Sequence, residues 1–180
     1  WVFKIKRDQQ GRIIKYKDRL VACGYAQHYG REYDETFVPV ASTTSIRTAF
    51  ALPASRDFLL SQHDIETAFL YDTLPADQRV YLHAPDDVTV APDECLCCLQ
   101  AIYGLRQAPR LFNQHLNSVL AKLGYVQTLS DPCVCSPSVF SLLVVVVDDI
   151  LHVVSSQSII DEFHETPGSA TMVCQIEAGG

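Results

Sequence analysis

The sequence has no run of 18 apolar residues, so it offers no candidate for a membrane-spanning helix. Its opening stretch, Trp1 to Arg7, alternates apolar residues with Lys4 and Lys6 and lacks the apolar core of a secretory signal. Methionine is nearly missing, occurring once at Met172, and the chain starts on Trp1, which points to a segment of something longer. There is no internal repeat and no low-complexity tract. The seven cysteines form an odd set without a secretory context, which argues against a disulfide framework and for reduced thiols. The expectation is a soluble intracellular protein with no membrane partner, and 180 residues suffice for one cored domain.

A uniformly basic surface is also missing: the formal net charge is -7. The charge is unevenly placed, however. Residues 1–31 hold eight lysines and arginines against only Asp8 and Asp18, so a basic arm is followed by an acidic body. That distribution suits a protein that grips phosphate with one part and binds cations with another, and it also suits a plain solvated hairpin.

Alternation in Trp1 to Ile5, turn residues at Asp8-Gln9-Gln10-Gly11 and a second strand-like run from Ile13 to Cys23 predict a β-hairpin. Thr44 or Ser45 is placed to cap a helix reaching about Leu52. Strands are expected over Phe58 to Asp64, Arg79 to His83, Cys95 to Leu99 and Val134 to Phe140, with a short helical segment over Ile65 to Leu70. The spacing of Leu111, Phe112, Leu116, Val119, Leu120 and Leu123 predicts a helix starting at Pro109 and ended by Gly124. Ser141 to Val154 reads SLLVVVVDDILHVV, and Ile159 to Phe163 is a short helix candidate before a tail of weak pattern. Strands mixed with helices and hairpins, without regular βαβ alternation, predict an α+β domain with a largely antiparallel sheet.

Asp148 and Asp149 lie between two β-branched apolar runs, where an uncompensated carboxylate would cost several kcal/mol. A water-exposed hairpin turn, an arginine partner or divalent cations would each compensate them. Asp64, another carboxylate closing an apolar strand, adds weight to the cations. Three aspartates on neighbouring strand ends can hold two metal ions about 3.5–4 Å apart, the arrangement used for in-line nucleotidyl transfer. A different reading makes Cys95, Cys97, Cys98, Cys133 and Cys135 a zinc module that binds nucleic acid. Structural zinc prefers thiolates spaced by two to four residues, whereas Cys95/Cys97 and Cys133/Cys135 are separated by one, so small buried thiols are the simpler account.

Four ordered segments resemble the reverse transcriptase domain of copia-type LTR retrotransposon Pol polyproteins: the opening stretch through YDETF-x-PV at Tyr33 to Val40, QHDIETAFL at Gln62 to Leu70, AIYGLRQAPR at Ala101 to Arg110, and VVDDIL at Val146 to Leu151. The last is similar to the family's YVDD box, with valine in place of its tyrosine. The resemblance implies a right-hand polymerase, fingers and palm, over 1–154 and a diverged tail, a truncated palm/thumb connection, over 155–180. It implies Asp64, Asp148 and Asp149 as catalytic ligands of two Mg²⁺ ions, with Mn²⁺ as a substitute. Lys17 and Arg19 would meet the triphosphate. Ile65 and Glu66 would offer backbone N–H groups to the phosphates, and Phe69 would lie under the sugar and exclude a 2′-hydroxyl. Tyr103, Gly104, Arg106 and Gln107 would lie beside the nascent base pair. Implied partners are an RNA or DNA template with primer, dNTPs, and the thumb, RNase H and integrase portions of the polyprotein, in cytoplasmic retrotransposon particles. The alternative within this ancestry is a non-catalytic, decayed remnant of the element.

Overall fold

A computed structural model describes residues 1–65, 67–138, 140–165 and 173–176, the side chains of 71, 138 and 173–176 excepted. The chain divides into two units, Trp1–Thr36 with Phe69–Phe112, and Phe37–Ala68 with Asn113–Gly180. Every strand pairing in both is antiparallel, and helices are interspersed, as the strand and helix patterns predict.

In the first unit, β1 (Val2–Arg7) and β2 (Ile13–Arg19) form the expected hairpin. Its turn is tied by Asp8, whose carboxylate accepts from the backbone N–H groups of Gln10 at 3.0 Å and Arg12 at 2.8 Å, and Gly11 supplies a φ of +81°. β4 (Val80–Leu82) pairs with β5 (Leu96–Cys98), and Leu74, Val80, Ala101, Leu105 and Ala108 make a small core around them. Burying each of the valine and leucine side chains among these stabilises by about 1.5–3 kcal/mol.

The second unit is built on a six-stranded sheet in the order β10-β3-β9-β8-β7-β6. Its strands are β3 (Leu59–Ile65), β6 (Val126–Gln127), β7 (Val134–Ser138), β8 (Ser141–Val146), β9 (Asp149–Val154) and β10 (Val173–Ile176). The apolar run at 141–154 is therefore a hairpin of two strands, and β10 adds an edge strand in a tail whose sequence pattern predicts none. Period-two alternation sorts the side chains. Val144, Leu151 and Val153 pack with Ala49 on one face, against α1 (Thr43–Arg56). Leu143, Ile150, His152 and Val154 occupy the other, where α3 (Gln157–Glu165) presents Phe163.

α1 starts two or three residues earlier than expected: Ser42, not Thr44 or Ser45, is the N-cap, and its hydroxyl accepts from Ser45 N–H at 3.0 Å. The deciding group is Asp131, far away in sequence, whose carboxylate accepts from Ser42 N–H at 2.9 Å, Ser45 Oγ at 2.6 Å and Cys133 N–H at 2.9 Å. Burial raises the Asp131 pKa, but these hydrogen bonds outweigh it and hold the carboxyl below its ordinary range. A negative charge there also favours the helix dipole. α1 runs past Pro53, forgoing one backbone bond, and closes with Asp57 in the left-handed region. α2 (Ala108–Lys122) ends before Gly124, which has a φ of +84°, as predicted. No helix among the described residues is long and apolar enough to cross a membrane.

Candidate active site

In the second unit, Asp64 is the penultimate residue of β3 and stands directly opposite Asp149, the first residue of β9. Directly opposed residues share a face of the sheet, so the register places both carboxylates on the α1 side, at the same end of two central strands. Val146 pairs with Asp149 across the β8–β9 hairpin, which leaves Val147 and Asp148 as a two-residue turn. The Asp148 carbonyl accepts from Ile65 N–H at 2.9 Å, stitching the turn to the end of β3. Gln62, one pleat before Asp64, donates through Nε2 to Asp149 Oδ1 at 3.2 Å. The sequence reading misses Gln62, although its i, i+2 relation to Asp64 is the signal for a shared face.

Val147 has a φ of +60°, as the first position of a primed hairpin turn requires. For a β-branched residue that conformation costs about 1–3 kcal/mol, held in place by the paired strands on either side. Val147→Gly is expected to raise unfolding stability by about 1 kcal/mol in a urea titration, strain relief exceeding the added entropy of a glycine.

One expectation needs correcting here. Ile65 N–H is taken by the Asp148 carbonyl, so it does not face outward as a phosphate donor, and Ile65 is 2% exposed. Glu66 lies outside the described residues. Behind the carboxylates, on the opposite face, His63 and His152 are fully buried with ring centroids 5.6 Å apart. His152 Nε2 lies 2.9 Å from Ser141 Oγ and 3.1 Å from the Tyr125 hydroxyl, while His63 has no hydrogen-bond partner among the described residues. Burial, then the positive charge of neighbouring imidazoles, pushes His152 down to about 3 and His63 to about 4.

In the first unit, the β1–β2 register puts Lys17 opposite Lys4 and Arg19 opposite Val2, so Lys17 and Arg19 do share one face. The Arg19 guanidinium lies 4.6 Å from the centre of the Tyr103 ring, and Tyr103 meets Phe69 edge-on at 4.9 Å. Phe69 also packs edge-on against Phe112 at 5.7 Å. Gly104 has a φ of +92°, and a Cβ there would run into the Ala22 carbonyl. Its glycine is thus required by the chain's own backbone at Ala22, whose N–H donates to the Tyr103 carbonyl at 2.7 Å.

Arg106 donates through its backbone N–H to Gln27 Oε1 at 2.8 Å and through Nε to the Gly24 carbonyl at 2.7 Å. The Gln107 amide accepts from Gln27 Nε2 at 3.1 Å and donates to the Glu32 carbonyl at 3.0 Å, and the residue is 3% exposed. Both side chains hold the turn to residues 24–32, and each polar atom of the Gln107 amide already has a partner within the fold. Of the thiols, Cys95 and Cys97 are exposed, while Cys133 and Cys135 are buried and pushed up to about 11, chiefly by burial, which keeps them protonated and poor metal ligands. Among the described residues no group of three or more His, Cys, Asp or Glu is gathered to hold a metal. The three aspartates are hard oxygen donors of the kind Mg²⁺ prefers, and two of them, Asp64 and Asp149, meet across one strand pair.

Residues 1–171 match the family described as reverse transcriptase (RNA-dependent DNA polymerase). The chain belongs to the reverse transcriptase family. It is similar to the retrovirus-related Pol polyprotein from transposon TNT 1-94 of Nicotiana tabacum, 39% identical over 166 residues that cover 89% of this chain and 12% of that protein. The retrovirus-related Pol polyprotein from transposon RE2 of Arabidopsis thaliana is 38% identical over 161 residues, covering 84% of this chain and 11% of the relative. The chain thus spans about a tenth of the length of these curated relatives. Its ancestry as a reverse transcriptase segment of a retrotransposon Pol polyprotein follows, and with it a nucleotidyltransferase lineage and a polymerase fold.

Proposed function

We propose that this reverse transcriptase segment is the core of an RNA-directed DNA polymerase, with fingers residues in the first unit and a largely antiparallel palm sheet in the second. Residues 1–154 would supply incomplete fingers and palm. Residues 155–180 would be the connection towards the thumb, with α3 and β10 as its described elements. The observation that carries the reading is the pairing of Asp64 with Asp149 beside the Asp148 turn.

Asp64, Asp148 and Asp149 would hold two Mg²⁺ ions, or Mn²⁺. Bound there, the ions would acidify a primer 3′-hydroxyl and neutralise a triphosphate. Lys17 and Arg19 would bind triphosphate oxygens, and the Tyr103 ring orients the Arg19 guanidinium for that task. Phe69, braced edge-on by Tyr103 and Phe112, is rigid enough to exclude a ribose 2′-hydroxyl and so select dNTPs. Tyr103 and Gly104 would flank the nascent base pair, with Arg106 and Gln107 fixing the turn that carries them. The template is RNA or DNA with a primer, and the thumb, RNase H and integrase portions of a Pol polyprotein are the covalent partners, in cytoplasmic particles.

Calorimetry with Mn²⁺ or Mg²⁺ tests the reading on the purified chain. Wild type should bind, and Asp148→Asn/Asp149→Asn should lose binding by tenfold or more while its circular dichroism is unchanged. A folded wild type that binds neither ion would leave a decayed remnant as the account.

A further inference from the structure

Within four residues, strand β3 reaches all three aspartates of the candidate site. Asp64 lies directly opposite Asp149, and Ile65 N–H fixes the turn by donating to the Asp148 carbonyl at 2.9 Å. Gln62 stands opposite Leu151, diagonal to Asp149 and on the face that carries Asp64. Its Nε2 donates to Asp149 Oδ1 at 3.2 Å. Among the described residues no other side chain bonds to Asp64, Asp148 or Asp149.

The chemistry of the donor decides what this bond can do. A lysine or arginine in its place would neutralise the carboxylate and compete with a cation for it. None of the ion pairs among the described residues uses these aspartates. A carboxamide is neutral, so it fixes the direction of the carboxylate and leaves its charge intact. It engages Oδ1, and no side chain among the described residues donates to Oδ2. Gln62 is itself exposed, so the bond adds little to the stability of the fold.

We infer that Gln62 is a positioning residue, which holds the Asp149 carboxylate in one orientation on the face it shares with Asp64 and so favours a small, geometrically demanding cation. The inference rests on the metal site proposed above and adds ion selectivity to it. Mg²⁺ demands near-ideal octahedral geometry, whereas Ca²⁺ accepts flexible shells of about six to eight oxygens. A carboxylate freed to rotate therefore weakens Mg²⁺ far more than Ca²⁺, while a change in charge alone would treat the two ions alike.

The test is calorimetry of the 180-residue chain with Mg²⁺ and, separately, with Ca²⁺, comparing wild type, Gln62→Met and Gln62→Asn. Methionine keeps the length and removes the donor. Asparagine keeps the amide on a stem one methylene shorter, out of reach of an acceptor already 3.2 Å away. Net charge is the same in all three proteins. Both variants should lose Mg²⁺ affinity by about tenfold or more, the usual scale for a group that orients a metal ligand, and Ca²⁺ affinity by about twofold or less. A second readout needs no ion: the side-chain amide signals of Gln62, recognised in an NMR spectrum by their loss in Gln62→Met, should move in Asp149→Ala.

Equal losses for the two ions, an unchanged Mg²⁺ affinity in either variant, or Gln62 signals that Asp149→Ala leaves in place would overturn the inference. So would a metal-free melting temperature of Gln62→Met well below that of wild type, which would make the bond a structural one. Mg²⁺ binding that Asp148→Asn/Asp149→Asn abolishes and Gln62→Met leaves unchanged keeps the polymerase reading and removes only the role of Gln62. A folded wild type that binds neither ion removes the metal site, and the role of Gln62 with it.

Discussion

Asp64→Asn is expected to reduce primer extension, assayed in a longer piece of the polyprotein, by about a thousandfold or more while leaving the sheet folded. Asp64 is half-buried at the end of β3, directly across from Asp149, so the wild-type chain brings two carboxylates together on one face. Like charges so placed repel, and on the proposed reading a divalent cation bound between them would offset that repulsion. The amide is nearly the same size and accepts the same strand geometry, so the substitution removes charge and leaves packing alone. Thermal melts provide a second readout that needs no template. Metal-free Asp64→Asn should melt at or above wild type. Saturating Mn²⁺ should raise the melting temperature of wild type, a ligand at a hundred times its Kd adding about 2.7 kcal/mol, and should leave the variant unmoved. Equal extension rates, or an equal Mn²⁺ shift in both proteins, would remove Asp64 from the metal site.

Most of the second unit's sheet was legible because its strands are apolar runs with period-two polar punctuation. In SLLVVVVDDILHVV a hairpin turn was one of three readings of the aspartate pair, and the pairing of Val146 with Asp149 puts that turn at Val147 and Asp148. The first hairpin was equally plain from alternation and from Asp8 to Gly11. What stayed hidden depends on partners distant in sequence. Ser42 became the helix cap because Asp131, 89 positions on, accepts its N–H, a bond that no local cap preference encodes. β6 has two residues, and β10 is weakly patterned because it is an edge strand selected by pairing with β3. The placement of Asp64 and of the aspartate pair at neighbouring strand ends was readable from the apolar runs they close. The inward use of Gln107 and of Ile65 N–H was not, because a motif shows which residues occur together and not which of their polar atoms the fold consumes. The buried His63 and His152 are not singled out by the sequence reading, because their inward positions depend on the pairing of β3 with β9.

That cluster should make the chain acid-labile well above the carboxylate range. His152 is fully buried against Ser141, Tyr125 and Phe163, and burial together with the charges of His63 and His164 holds its pKa at about 3 against 6.5 when unfolded. Between those values the unfolded state binds the proton and the folded state does not, so stability rises with pH there. The full contribution is present above pH 6.5, and it is lost progressively as pH falls towards about 3. At 1.36 kcal/mol per unit, lowering the pH from 6.5 to about 5 should remove about 2 kcal/mol through His152 alone, with His63 acting in the same direction. Asp131 works in a separate window: its lowered pKa protects stability until the pH falls below its ordinary 3.8. Urea unfolding at constant ionic strength between pH 7 and 4 measures the slope. His152→Gln, which keeps a polar group near Ser141 and Tyr125 but cannot take up a proton in this range, should reduce the slope by about one proton. A wild type whose stability is flat from pH 7 to 5 would mean that the imidazoles are not shut away from solvent as a group. A slope that His152→Gln leaves unchanged would assign the proton uptake to His63 instead.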